Sequence, residues 1–261
     1  MKTVILCGGR GTRIRDVADD IPKPMVPVGE RPILWHLMKY YSHYGHTDFV
    51  LCLGHLGDVI RDFFLNYDVH TQDITVTLAP QKHVRYDSQN KEARWKVAMA
   101  ETGLDSMTGA RIKRIQKFVE HDDHFMLTYG DGLGTVDLDK LVAFHKSHGK
   151  ILTISGVRPP SRFGELRMNA KGLVTAFNEK PQVSEGRISG GFFVCRKEIF
   201  KYLTARKDLV FEQEPINQMV KDKQVMVYKH NGFWQPMDTY RDYQYLNGLI
   251  EKKQAPWVVW K

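Results

Sequence analysis

The chain is poor in the residues and patterns that mark several classes of protein. It has only three cysteines among 261 residues, and no two of them have the spacing of a zinc site or a redox motif. Because three is an odd number, a disulfide framework is not predicted either. The apolar run near the start ends at Gly8, which makes it too short for a signal peptide or a membrane span. We therefore expect free thiols in a soluble, cytoplasmic protein.

Linkers, repeats and runs of one charge are also missing. The sequence has no low-complexity tract and no stretch of Pro, Gly and Ser that would separate domains. Lys and Arg number 38 against 30 Asp and Glu, a formal net charge of +8, but the basic residues are spread along the chain. Spread positive charge suits small phosphorylated ligands better than a nucleic acid. We expect one domain over 1–261, with a core over about 1–155 and a second lobe over about 156–261.

What is present is an alternation of strand and helix patterns. Apolar, β-branched runs predict buried strands over 3–7, 48–53, 125–128 and 151–155, and amphipathic spacing predicts helices over 32–44, 58–64 and 138–148. This order predicts an α/β fold with a mostly parallel sheet flanked by helices. From about residue 163, shorter strands predict an antiparallel extension, and a helix is predicted over 239–252. Residues 81–96 are polar and without a period, which predicts a long hairpin or excursion.

The strongest local signal is a glycine-rich run directly after the first predicted strand, called the glycine loop below. It consists of Leu6, Cys7, Gly8, Gly9, Arg10, Gly11, Thr12 and Arg13, and Lys23 follows it. Glycines let a backbone turn sharply and approach a ligand, while backbone N–H groups and the side chains of Arg13 and Lys23 can bind phosphate oxygens. The run is neither a P-loop nor a dinucleotide fingerprint. A plain strand-to-helix turn is the alternative.

Two aspartates have positions that suit a metal ion. Asp131 stands between Gly130 and Gly132, just after a predicted buried strand, and Asp238 immediately precedes the last predicted helix. Open α/β sheets bind ligands at the carboxyl ends of their strands, and carboxylates there can hold Mg²⁺ against nucleotide phosphates. The alternatives are an ordinary Asp-Gly turn for Asp131 and a helix N-cap for Asp238.

A further pattern suits a phosphorylated sugar. Glu179 can accept hydrogen bonds from sugar hydroxyls, Lys180 can bind a phosphate, and Gly191 would let a sugar ring rest on the backbone. The alternative is an exposed Glu-Lys pair, which contributes little to stability.

Taken in order, these motifs resemble the sugar-1-phosphate nucleotidylyltransferases, a family of Rossmann-like enzymes with a smaller antiparallel sugar-binding lobe. The resemblance covers nearly the whole chain, and the stretches 32–36, 105–111, 233–239 and 254–257 are most similar to the branch that transfers a cytidylyl group from CTP to glucose 1-phosphate. It implies that the nucleotide contacts are the glycine loop, Lys23, Ser106, Arg111 and Gly130, that the sugar phosphate contacts are Glu179, Lys180 and Gly191, and that Asp131 and Asp238 bind Mg²⁺.

The resemblance also implies a mechanism and an assembly. Arg13, Lys23, Asp131 and Lys180 would be the catalytic residues of an in-line attack on the α-phosphorus, and the chain would form a homo-oligomer without nucleic acid or membrane partners. Cys7, Arg10 and the 81–96 segment depart from the family pattern. Three alternatives remain: a sister transferase with another nucleotide or sugar, a catalytically silent regulator, and a basic module that binds nucleic acid.

Overall fold

The fold is taken from a computed structural model that describes residues 1–9, 20–78, 82–88, 92, 94–159, 165–168, 172–178 and 186–260. Its strands are β1 Thr3–Leu6, β2 Pro27–Val28, β3 Arg31–Pro32, β4 Asp48–Leu53, β5 Ile74–Thr77, β6 His83–Tyr86, β7 Lys96–Glu101, β8 His124–Tyr129, β9 Gly132–Gly134, β10 Leu152–Val157, β11 Glu165–Met168, β12 Val174–Asn178, β13 Ile188–Arg196, β14 Val225–Lys229 and β15 Trp234–Pro236. Its α-helices are α1 Ile33–His43, α2 Gly57–Leu65, α3 Tyr67–Thr71, α4 Thr108–Arg114, α5 Gln116–Val119, α6 Leu138–His148, α7 Glu214–Lys221 and α8 Tyr240–Glu251, with short 3₁₀ helices at Lys23–Met25 and Lys197–Tyr202.

A seven-stranded sheet in the order β14-β10-β13-β8-β1-β4-β7 forms the centre of the fold. Strand β1 runs parallel to β4 and β8, and β4 runs parallel to β7. Strand β13 is antiparallel to both of its neighbours, β8 and β10. The predicted α/β class with a mostly parallel sheet is therefore confirmed. The short strands predicted as an antiparallel extension divide between two sheets. Strand β13 is inserted between β8 and β10, and β12 pairs with β11 in a separate two-stranded sheet.

Successive residues of a strand point to opposite faces of the sheet, so the continuous apolar strands have apolar side chains on both faces. Helices cover both of these faces. In β1, Ile5 belongs to the core beneath α1, α6 and α8, whereas Val4 and Leu6 belong to the core beneath α4, α5 and α7. Residues of β1 and β4 are almost entirely buried, which explains their continuous apolar sequences. The two cores fix the carboxyl ends of β1 and β8, which the glycine loop and Asp131 follow.

The individual strands and helices can be compared with the boundaries predicted from the sequence. Strand β4 and helix α6 have the predicted boundaries. Within the segment 81–96, predicted as a hairpin or excursion, residues 83–86 form β6, which pairs antiparallel with the preceding strand β5. The last helix begins after Thr239, whose side chain accepts a hydrogen bond from Asp242 N in a capping box. The N-cap interpretation of Asp238 is therefore wrong. Among the described helices, none is both long and apolar enough to cross a membrane.

Candidate active site

The candidate active site is assembled where a small two-stranded sheet joins the carboxyl end of β8. Strand β9, which follows Asp131, pairs with β15, so that Gly132 lies opposite Pro236. The backbone N–H of Met237 donates to the carbonyl oxygen of Asp131 at 2.8 Å. This pairing brings Asp131 and Asp238 together although they are far apart in sequence. Because Thr239 caps α8, the Asp238 carboxylate is not used as the cap.

The Lys23 ammonium lies between these two carboxylates. Its Nζ donates to Asp131 Oδ2 at 2.7 Å and to Asp238 Oδ1 at 2.5 Å, and its side chain is only 12% exposed. Lys23 is the first residue of a 3₁₀ helix, and the next residue, Pro24, packs closely against Gly130. A Cβ on Gly130 would lie only 3.0 Å from Cγ of Pro24. Burial alone would lower the pKa of Lys23, but the carboxylates outweigh it and raise the pKa above its ordinary value. The ammonium therefore carries its charge at neutral pH.

The predicted metal site contains two carboxylates, the kind of ligand that Mg²⁺ prefers. Both carboxylates already reach a single cationic nitrogen, so they converge on one point from β8 and from the β15 side. Mg²⁺ in proteins usually takes one or two carboxylates and completes its shell with waters and substrate phosphates. Within the described ranges, no group of three His, Cys, Asp or Glu side chains is arranged to hold a metal by protein ligands alone. The donor set fits a metal that is shared with a phosphorylated substrate.

A cleft of about 220 Å³ opens next to the carboxylate pair. It is lined by Thr128, Tyr129, Asp131, Gly132, Ser189, Gly190, Gly191, Trp234, Pro236 and Asp238. Trp234 Nε1 donates to the carbonyl oxygen of Gly190 at 2.7 Å, which fixes the indole against β13. The predicted sugar contact Gly191 lies in this wall. Small residues and two aromatic faces around a pair of carboxylates form a surface suited to a polar ring such as a sugar.

Tyr129 and Gly191 fit together tightly in the cleft wall. Gly191 has a φ of +76°, and a Cβ on it would lie 2.6 Å from Cδ2 of Tyr129. The Tyr129 hydroxyl donates to a carboxylate oxygen of Glu212, whose other oxygen accepts from Thr108 at 2.6 Å. Burial raises the pKa of Tyr129, and the Glu212 carboxylate raises it further, so the hydroxyl stays protonated as a donor. The ring is thus held from both ends.

Arg111 connects the carboxyl ends of three parallel strands. Its guanidinium donates to the carbonyl oxygens of Gly8 at 2.7 Å and Leu53 at 2.8 Å, and to Oγ1 of Thr102 at 2.8 Å. A Cβ on Gly8 would lie 2.2 Å from Arg111 Nη1, and one on Gly54 would lie 2.4 Å from it. Burial lowers the pKa of Arg111, since these partners are neutral oxygens. The first glycine of the glycine loop therefore makes room for a side chain, whereas the sequence suggested room for a ligand.

Ser106 lies on the same side of the sheet, in the segment that leads into α4. It is 5% exposed, and its Oγ accepts from Arg114 Nη1 at 2.8 Å, while Arg114 also donates to the carbonyl oxygen of Thr102. The backbone N–H groups at the start of α4 are taken up by carbonyls of the 207–209 segment; Gly109 N, for example, donates to Leu209 O at 2.9 Å. Ser106 and Arg111 thus belong to one hydrogen-bonded group, separate from the carboxylate pair.

The remaining predicted residues divide into two sets. Cys7 is buried, and burial raises the pKa of its thiol well above the ordinary value, so Cys7 is a neutral packing residue at the start of the glycine loop. Gly9 is exposed at the end of the described part of that loop. The residues that lie outside the described ranges are Arg10, Gly11, Thr12, Arg13, Glu179 and Lys180. Their roles stay predictions.

Tyr129 and Trp234 are cleft residues that sequence reasoning did not single out. Both belong to motifs chosen for their aspartates, in Tyr129-Gly130-Asp131 and Trp234-Gln235-Pro236-Met237-Asp238. Aromatic residues beside a predicted ligand carboxylate were the available signal, because such residues commonly form the apolar wall of a polar site.

Comparison with known proteins identifies the class to which this fold and site belong. The family model described as "Nucleotidyl transferase" matches residues 2–253, so the chain belongs to the nucleotidyl transferase family. The resemblance expected from the motifs is thereby confirmed. Over its full length the chain is 44% identical to the glucose-1-phosphate cytidylyltransferase of Salmonella typhimurium, and each chain is covered completely. It is 39% identical to the probable glucose-1-phosphate cytidylyltransferase of Bacillus subtilis, again with complete coverage of both chains.

Solved structures share the fold of this chain. A putative glucose-1-phosphate thymidylyltransferase from Bacillus anthracis superimposes with a TM-score of 0.68 at 18% identity, covering 98% of this chain and 96% of that one. HddC from Yersinia pseudotuberculosis gives the same TM-score at 24% identity, covering 95% and 99%. At these identities the likeness is one of fold.

Proposed function

We propose that the chain transfers a cytidylyl group from CTP to α-D-glucose 1-phosphate, giving CDP-glucose and pyrophosphate. The observation that carries this proposal is the convergence of Asp131, Asp238 and Lys23 beside a cleft at the carboxyl end of β8. The chain is 44% identical over its full length to a glucose-1-phosphate cytidylyltransferase and 39% identical to a probable one, and this supports the choice of nucleotide and sugar. A nucleotidyl transfer between two anions needs this combination of clustered charge and a neighbouring binding cleft.

In the proposed reaction, a phosphate oxygen of glucose 1-phosphate attacks the α-phosphorus of CTP in line. The bond from that phosphorus to the bridging oxygen breaks, and pyrophosphate leaves with the electron pair. Asp131 and Asp238 would hold Mg²⁺, which when bound supplies neutralising charge to phosphate oxygens. Lys23 would bind phosphate oxygens of the triphosphate, and the cleft around Gly191 would orient the sugar. Most of the catalysis then comes from positioning and electrostatics, without a covalent intermediate.

Several site assignments belong to the same proposal. Arg13 and Lys23 would hold the departing phosphates, Glu179 and Lys180 would bind the sugar phosphate, and the glycine loop would contact the nucleotide. Arg111 would support the nucleotide by fixing the backbone at Gly8, to which it donates directly. Ser106 and Gly130 complete the nucleotide side, and residues 156–261 would contribute the sugar-binding lobe through β13 and β15.

The proposal extends to the assembly and location of the chain. The β5–β6 hairpin exposes apolar side chains, among them Val76 and Tyr86, which supports a homo-oligomer in which this hairpin is covered. Sedimentation velocity at several protein concentrations would test it. All three cysteines are buried and unpaired, which supports a reducing compartment such as the cytoplasm.

The test is pyrophosphate release with glucose 1-phosphate and Mg²⁺, measured in parallel with CTP, UTP, dTTP, ATP and GTP. We expect a strong preference for CTP. Preference for another nucleotide would keep the reaction class and overturn the base assignment. No release with any of the five would overturn the glucose assignment, and a panel of other sugar 1-phosphates with CTP would then identify the acceptor.

A further inference from the structure

The two carboxylates of the candidate metal site already have a cation. Lys23 Nζ contacts one oxygen of Asp131 and one oxygen of Asp238 at 2.7 and 2.5 Å. Its side chain is 12% exposed and each carboxylate is 32% exposed, so water screens the three charges only in part. Two negative charges and one positive charge leave the cluster with a net charge of −1.

We propose that Lys23 is an internal counter-ion that keeps divalent metal out of this site until a triphosphate binds. The proposal rests on the metal assignment made for Asp131 and Asp238 under the proposed function. If a divalent ion joined the cluster while the ammonium stayed there, the net charge would become +1 and two cations would share the same two carboxylates. Such a partly buried arrangement is unfavourable, because like charges at contact distance repel strongly where water is scarce.

A triphosphate reverses this balance. Its oxygens offer the ammonium new acceptors, and its negative charge compensates the divalent ion. Lys23 suits such an exchange because a lysine is a point charge on a flexible stem, with three donors that can turn from one acceptor to another. Metal and nucleotide would therefore bind with positive coupling, and each would raise the affinity of the other by the same factor.

The experiment measures the affinity of the full-length protein for Mn²⁺ in the absence of nucleotide, from the loss of the electron paramagnetic resonance signal of aqueous Mn²⁺. Lys23→Met removes the charge and keeps much of the side-chain volume. We expect it to bind Mn²⁺ at least about tenfold more tightly than the wild type, because the repulsion between two cations at contact is removed. The double variant Lys23→Met/Asp131→Asn should lose this gain.

Two controls separate the counter-ion from general effects of removing a lysine. Lys39 is a matched residue, since its side chain is 17% exposed and its Nζ lies 2.5 Å from Oε1 of Glu92. Lys39→Met should bind Mn²⁺ like the wild type. Lys23→Arg keeps the positive charge and should also leave the weak Mn²⁺ binding unchanged.

A thermal unfolding series gives a second readout and guards against misfolding. Without metal, Lys23→Met leaves two carboxylates facing each other, so the thermal unfolding midpoint of this variant should fall below that of the wild type. Added Mn²⁺ should restore the midpoint of the variant and leave the wild-type midpoint unchanged. Lys23→Gln is the second variant if the methionine protein does not fold, because its amide can still donate to one carboxylate. The same gain in Mn²⁺ affinity is expected of it.

Equal Mn²⁺ affinity of the wild type and the uncharged Lys23 variants, or no binding by any of them, would overturn the counter-ion proposal. Pyrophosphate release by Asp131→Asn and Asp238→Asn tests the metal assignment separately. If both keep full turnover, the metal assignment of the proposed function fails as well. If they are inactive while the Mn²⁺ affinities are equal, only the counter-ion proposal fails.

Discussion

Gly191 is the position at which the shape of the proposed sugar cleft can be tested most directly. Its φ of +76° lies in the left-handed region, where a side chain costs roughly 1–2 kcal/mol. A methyl group there would also lie 2.6 Å from the Tyr129 ring, and this overpacking adds typically about 1–3 kcal/mol. Since Glu212 holds the Tyr129 hydroxyl, the ring cannot simply turn away. We expect Gly191→Ala to lower the free energy of unfolding by about 2–5 kcal/mol.

A matched glycine separates the two contributions. Gly149 has a φ of +67°, but a Cβ on it would meet no atom within 4 Å. Gly149→Ala should therefore show only the backbone cost of about 1–2 kcal/mol in urea unfolding. Gly191→Ala should in addition raise the KM for glucose 1-phosphate more than the KM for CTP, because the displaced ring lines the cleft. Equal destabilisation by the two substitutions, with unchanged KM values, would refute the reasoning.

Three other changes have defined outcomes. Arg111→Met should lower the free energy of unfolding, measured in urea, by about 2–4 kcal/mol, because the carbonyls of Gly8 and Leu53 lose donors. Initial rates should show that it raises the KM for CTP more than the KM for the sugar phosphate. Asp131→Asn should reduce pyrophosphate release about 10²–10³-fold while circular dichroism stays unchanged, and full activity would contradict the metal assignment. Burial lowers the pKa of His145 from its ordinary value near 6.5 to about 3. A proton therefore binds this imidazole more readily in the unfolded chain than in the folded one, so the free energy of unfolding should be highest above pH 6.5 and fall progressively toward about pH 3. Urea unfolding across that range should show a flatter pH dependence for His145→Gln.

The fold was predictable from the sequence where the signal is local. The continuous apolar sequence of β4 and the amphipathic period of α6 appear in the chain itself, and both elements have the predicted boundaries. The place of β13 was not predictable. Its apolar residues reveal a buried strand, but its insertion between β8 and β10 depends on contacts with strands far away in sequence.

The candidate site shows the same division. Asp131 and Asp238 were each predicted as metal ligands, yet their convergence depends on β9 and β15, two strands of three residues that are too short to show a period. Close approach to the backbone was predicted at Gly8, but the approaching group was not, because the guanidinium that fills the space comes from Arg111 on α4. A glycine motif indicates close approach and leaves open which group approaches.

Lys23 shows why the residue type at this junction matters as much as its charge. An arginine could also bridge Asp131 and Asp238, but its planar fork would bind carboxylates in a paired geometry that is harder to leave. A lysine makes single contacts, at 2.7 and 2.5 Å here, and each can be exchanged for a phosphate oxygen one at a time. Stability of the cluster and turnover therefore make opposite demands on position 23. Under the proposed function, a residue that satisfied only the first demand would hold the carboxylates so firmly that a bound triphosphate could not draw it away.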